Sequence, residues 1–126
     1  MSYTESWSGK INRKLLKKLH IIDVAAGREK ADLVLKNATY VNVFSGELDT
    51  GDIAVAEGLI VGLCSYEGRD EVDMTGKIVC PGFIDAHIHL ESSLVSPAEF
   101  ARAVIPHGTT TVITDPHEIT NVMGTD

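Results

Sequence analysis

Residues 81–91 read Pro-Gly-Phe-Ile-Asp-Ala-His-Ile-His-Leu-Glu, so two imidazoles, His87 and His89, stand two positions apart at the end of an apolar run. In a β-strand, residues i and i+2 face the same side and lie about 6.5–7 Å apart. Two neutral ring nitrogens placed this way converge on one metal ion when their side chains lean together. Asp85 falls on the same face. A bare His-x-His is also a common accident, and the plain alternative is a pair of strand histidines without a ligand. At the C-terminal end of the first parallel strand of a barrel, the pair would stand where such barrels build their active sites.

A second polar group, Asp115-Pro116-His117-Glu118, follows the β-branched run at 109–115. His117 and Glu118 can ligate a metal, orient a ligand or contact a substrate; the plain alternative is a polar cap on a loop. A zinc-protease reading fails, because residue 121 is Asn and His-Glu-x-x-His is not completed. The zinc-deaminase pattern of His-x-Glu with Pro-Cys-x-x-Cys is absent as well. His107, between Pro106 and Gly108, reads as an exposed helix-ending residue. His20 has no partner visible in the sequence.

The elements that must position these groups differ along the chain. Between residues 8 and 30, Ile11, Leu15, Leu19 and Ile22 recur at helical spacing and predict an amphipathic helix with a buried stripe. Lys10, Arg13, Lys14, Lys17 and Lys18 flank it, five of the 11 basic residues in the chain. Such a helix either seeks an anionic surface or packs on its own acidic body, and the acidic body next door favours the second. From 31 to 77, short apolar runs are broken at Lys36-Asn37, Ser45-Gly46, Thr50-Gly51 and Glu57-Gly58. This predicts a small antiparallel sheet of about four strands with a tight hairpin at Glu57-Gly58. Cys64 and Cys80 lie in apolar runs and are expected to be buried free thiols, as in a reducing cytosol.

The last stretch, 78–126, begins with a strand, Ile78 to His89, bent at Pro81-Gly82. A helix follows, capped by Ser96, opened by Pro97, boxed by Glu99 and ended by Pro106 and Gly108. The run at 109–115 is a second strand. Strand, helix, strand is a βαβ unit with parallel pairing. Three domains are thus expected: a helix at 1–30, a small β-sandwich-type sheet at 31–77, and a first βαβ unit at 78–126.

The chain has 126 residues, 44% hydrophobic and 23% charged, with a formal net charge of −7. That composition is globular, and its sign disfavours nucleic acid and anionic membranes as general partners. No run approaches the roughly 18–20 apolar residues of a membrane span, and a cytoplasmic protein is expected.

Pro-Gly-Phe-Ile-Asp-Ala-His-Ile-His resembles the first barrel strand of the amidohydrolase superfamily, metal-dependent hydrolases on a (β/α)8 barrel with a flanking β-sandwich. More narrowly, residues 87–93, residues 106–119 and the basic N-terminal helix are similar to the adenine deaminase family, the likeness running from about residue 10 to the end. Related dihydroorotases and hydantoinases carry an arginine where this chain has Glu91, and an acidic group there suits a neutral heterocycle better than an anionic substrate. The plain alternative for Glu91 is a surface or supporting carboxylate.

The resemblance implies an α/β fold: the N-terminal part of an amidohydrolase barrel, preceded by a helix and a small β-sandwich, with the barrel incomplete. It implies His87 and His89 as metal ligands, and Glu91, Asp115, His117 and Glu118 as substrate-contacting or supporting groups. It implies manganese as the metal, with iron and zinc as alternatives, and a small purine as the substrate, adenine being converted with water to hypoxanthine and ammonia in purine salvage. A full barrel takes roughly 200 or more residues, so the chain is expected to be an N-terminal fragment, inactive alone. Two further readings stay open. One is a subunit of a split amidohydrolase, completed by a second chain or a homo-oligomer and acting on another cyclic amidine or amide. The other is a non-enzymatic module that uses the basic helix.

Overall fold

The computed structural model describes residues 7–124, the side chains of residues 7–11 and 119 excepted. The chain divides into two compact units, with the break between Cys80 and Pro81.

The first unit runs α1 (Trp7–Ala25), β1 (Ala31–Asn42), β2 (Glu47–Ala56), β3 (Leu59–Gly62), β4 (Gly68–Asp73) and β5 (Ile78–Val79). The strands form one five-stranded sheet in the order β3-β2-β1-β4, with β5 also on β1. β1 pairs antiparallel with β2 but parallel with β4 and β5, so the expected antiparallel sheet is in fact mixed. The cause is the connection at residues 63–67, which carries the chain from β3 at one edge to the far side of β1. Two of the four expected turns are also absent. Asn37 takes a left-handed conformation (φ 57°) and makes a bulge between Leu35 and Ala38, so β1 continues through it. Asn tolerates that region better than most residues, and a bulge absorbs one extra residue without ending the pairing. Thr50 and Gly51 pair in register with Thr39 and Ala38 inside β2. The hairpin at Glu57-Gly58 does form. Both residues have positive φ, 51° and 77°, as a two-residue turn matched to strand twist requires.

The buried cluster beneath α1 is built from small residues, while a second one gathers Ala38, Tyr40 and Ile53. Val24, Ala31, Val34, Ala54 and Ala56 are buried together, with Ile21, Val61 and Tyr66 packed against them. The alanines on β1 and β2 let α1 lie close to the sheet. The expected stripe is not the buried one: Leu15, Leu19 and Ile22 are 53, 47 and 55% exposed, while Ile21 and Val24 face the core. The helix is apolar on two faces, and the alanine-lined surface takes the face that is narrower and nearer its C-terminus. Lys10 and Ile11 lie outside the described side chains. Lys17 pairs with Glu57 at 2.6 Å, so this part of the basic helix does engage the acidic body of its own chain. Cys64 and Cys80 are free but exposed, not buried. Each sits just past a strand end, in a connecting segment.

Tyr66 lies over Gly62 and donates its hydroxyl to the carbonyl of Ala25 at 3.1 Å, which satisfies one of the open carbonyls at the end of α1. A Cβ at position 62 would fall 2.1 Å from that hydroxyl oxygen. Gly62→Ala is expected to unseat the ring and cost about 1–3 kcal/mol, read as a lowered urea midpoint. An unchanged midpoint would mean that the ring moves aside freely.

The second unit runs β6 (Phe83–Ile88), a 3-10 turn at Leu90–Ser93, α2 (Pro97–Val104), a 3-10 turn at Ile105–His107, β7 (Thr109–Thr114) and α3 (His117–Met123). The strand expected from Ile78 to His89 is two strands in different sheets. Proline offers no N–H to a ladder, and at Pro81-Gly82 the chain leaves β1 and begins pairing with β7. β6 and β7 are parallel and joined through α2, a βαβ arrangement. Ser96 Oγ accepts the Glu99 N–H at 3.4 Å and Pro97 opens the helix. The reciprocal half of the capping box is replaced, because the Glu99 carboxylate accepts from Arg102 instead. Gly108, at φ 95°, turns the chain into β7.

Candidate metal and substrate site

His87 and His89 stand at the C-terminal end of β6, His87 within the strand and His89 as the residue that opens the following 3-10 turn. Their ring centroids are 5.1 Å apart and the planes nearly perpendicular, at 83°. Both are exposed. The register between β6 and β7 slips between Asp85 and Ile88, and there the Asp85 carboxylate accepts the N–H of His87 at 3.1 Å. This local bond fixes the backbone from which the His87 ring projects, in a stretch where the ladder is irregular. Asp85 was expected only to share a face with the histidines; its bond to the backbone was not legible from spacing.

The group after β7 is arranged differently from expectation. The strand ends at Thr114, Asp115 and Pro116 form a link, and His117 and Glu118 open α3 instead of closing a strand. His117 Nδ1 lies 3.1 Å from the Asp115 carbonyl and 3.2 Å from its carboxylate. The charge of Asp115 beside the ring, helped by its hydrogen bonds and by Glu118, raises the His117 pKa against some desolvation. An Nδ1 held by an acceptor carries the proton and leaves Nε2 as the ring's lone-pair atom. The His117 and His89 ring centroids are 6.2 Å apart. Three of the expected residues, His87, His89 and His117, are therefore neighbours. Glu91 sits partly buried in the 3-10 turn after β6, and Asp115 and Glu118 are exposed.

Among the described residues, no group of three or more His, Cys, Asp or Glu side chains is arranged to hold a metal ion. A catalytic site normally needs at least three protein ligands, so the described residues supply a pair of donors and a third imidazole nearby, not a closed coordination shell. His107 is exposed in its 3-10 turn. His20, for which the sequence offered no partner, hydrogen-bonds two carboxylates in the first unit.

Residues 78–126 match the amidohydrolase family. The adenine deaminase of Ligilactobacillus salivarius (strain UCC118) is 62% identical over 113 residues, 89% of this chain and 19% of that protein. That of Desulfitobacterium hafniense (strain Y51) is 57% identical over 114 residues, 90% of this chain and 20% of that protein. The chain is thus similar to adenine deaminases along most of its length and spans about a fifth of the curated relatives it matches. Among solved structures, an N-acyl-D-glutamate deacylase from Bordetella bronchiseptica, complexed with zinc and a phosphonate inhibitor, matches with a TM-score of 0.58 and 29% identity over 68% of this chain and 19% of that one. An L-hydantoinase from Arthrobacter aurescens matches with a TM-score of 0.55 and 24% identity over 68% of this chain and 21% of that one, a likeness of fold alone. These likenesses bear out the mixed α/β class with part of an amidohydrolase-type sheet.

Proposed function

We propose that this chain is the segment of an adenine-deaminase-type amidohydrolase that carries the first metal-binding strand. The observation that supports it most is the imidazole pair 5.1 Å apart at the end of β6, in a chain 62% identical to an adenine deaminase. In this reading α1 and the five-stranded sheet of the first unit are a helix and a flanking β-sandwich-type sheet. The second unit, β6 to α3, is the first βαβ unit of a (β/α)8 barrel whose other strands lie elsewhere. The reaction is adenine plus water to hypoxanthine plus ammonia, a step of purine salvage in the cytoplasm. No helix among the described residues is long and apolar enough to cross a membrane.

The donor chemistry fits a divalent metal. Imidazole nitrogens suit zinc and iron, and manganese, which is favoured by added oxygen donors, is our first assignment. His87 and His89 would hold it, and it would supply Lewis acidity that turns water into a nucleophile near neutral pH. Asp85 fixes the backbone of His87. Asp115 sets the His117 proton at Nδ1 and leaves Nε2 to meet a ligand or the purine. Glu91 and Glu118 accept N–H groups of a neutral heterocycle and repel anionic substrates. The remaining ligands come from polypeptide beyond these residues, in the same chain or a complementary one.

The test is a chimaera in which this chain replaces its matched segment in the Ligilactobacillus salivarius protein. It is expected to convert adenine to hypoxanthine within about tenfold of the parent. A soluble, metal-loaded chimaera that leaves adenine untouched would overturn the assignment.

A further inference from the structure

His20 lies on α1 with only 15% of its side chain exposed, and both ring nitrogens face carboxylates. Nδ1 is 2.8 Å from Glu29, in the turn after α1, and Nε2 is 3.3 Å from Asp32, at the start of β1. A neutral imidazole carries one N–H and can serve only one of these oxygens, turning a lone pair towards the other. The imidazolium donates to both. The same turn of α1 carries Ile21 and Val24, the residues by which the helix enters the core.

Several of the surrounding charges are already paired. Asp32 also accepts the Glu57 N–H at 2.8 Å and Arg69 Nη1, from β4, at 3.1 Å. Lys17, one turn earlier on α1, is paired with Glu57. Asp23, one turn later, is paired with Arg28, and Lys30 with Glu67. The charges in contact with the ring are therefore Glu29 and Asp32, with Arg69 opposing through Asp32.

We propose that His20 is a proton-operated latch that holds the C-terminal half of α1 on the first sheet, closed when the ring is a cation and weakened when it is neutral. None of its groups belongs to the strand end bearing His87 and His89. The hydrogen bonds that the ring donates to Glu29 and then to Asp32 raise its pKa above the ordinary value, against desolvation and Arg69. A pKa raised by folding means that the latch contributes fully below about pH 6.5 and is lost as pH climbs through the folded value.

The experiment is hydrogen exchange on the 126-residue protein, comparing a peptide over 12–25 with one from β1 and correcting for intrinsic exchange. Relative protection of α1 is expected to fall about fivefold between roughly pH 6 and 8.5. His20→Gln is expected to be flat at the low level and His20→Lys flat at the high one. The His20 ring, followed by NMR in the unsubstituted protein, should titrate above the ordinary histidine value. A ring that titrates at or below that value, or an equal decline in His20→Gln, would overturn the latch whatever the variants do.

Discussion

Replacing His87 and His89 together by alanine in the chimaera is expected to lower adenine turnover by at least about 10³-fold. In the proposed reading the pair contributes the two nitrogen donors of the first strand, and no other described group in the chain is arranged to take their place. A site below three protein ligands loses metal as well as rate, so metal content measured by atomic absorption should fall in parallel. Added manganese should restore little, because the loss is of donors and not of occupancy alone. Each single variant should retain more metal than the pair, since the remaining ring still binds. Turnover within tenfold of the unsubstituted chimaera, at unchanged metal content, would remove both residues from the site.

Asp52→Ala is expected to destabilise the first unit by about 3 kcal/mol, the largest stability effect of any substitution considered. Asp52 is 7% exposed and holds three donors: Lys36 Nζ, the Asn37 N–H at 3.1 Å and the Tyr66 N–H at 3.3 Å. Alanine would leave two amides and a half-buried ammonium without that acceptor. The double variant with Lys36→Met should be milder than the single one, because the stranded charge goes too. Burial by itself pushes the Asp52 pKa up, but Lys36 and the two amides outweigh it and hold the carboxyl below the usual range. A depressed pKa stabilises the fold above the unfolded value, near 3.9, and the contribution disappears as pH falls through the folded one. Acid unfolding below about pH 4 should therefore be blunted in Asp52→Ala. Urea curves that superimpose on the parent's at neutral pH would refute the assignment.

Where a residue type has one dominant use, the sequence was a good guide. His-x-His at a strand end, Ser96-Pro97 before a helix and Glu57-Gly58 in a hairpin all behave as their local chemistry dictates. What could not be read depended on partners distant in sequence. Asn37 looked like a break, yet the pairing of β1 with β2 makes it a bulge. Ile21 and Val24, not Leu15 and Leu19, face the core, because Ala31, Ala54 and Ala56 decide which side of α1 fits. β4 looks like the continuation of a meander, and β5 like the start of the strand that ends at His89, until both are found parallel on β1. At the site, spacing predicted the nearness of His87 and His89 but not the approach of His117, which depends on α3 starting directly after Pro116.

The pairing of β1 has a consequence for the order in which the molecule can assemble as it is synthesised. β1 is made early and gains β2 at once through a short hairpin, but its other side waits for β4 and then for Ile78 and Val79. Contacts so far apart in sequence are slow to close and leave an edge open in the meantime. The first sheet is completed by residues that directly precede Pro81, so the nascent chain finishes one unit just as it begins the strand that ends in His87 and His89. A delay at β5 would then present two open sheets together, and slow synthesis past residue 80 is the condition under which the protein should best avoid aggregation.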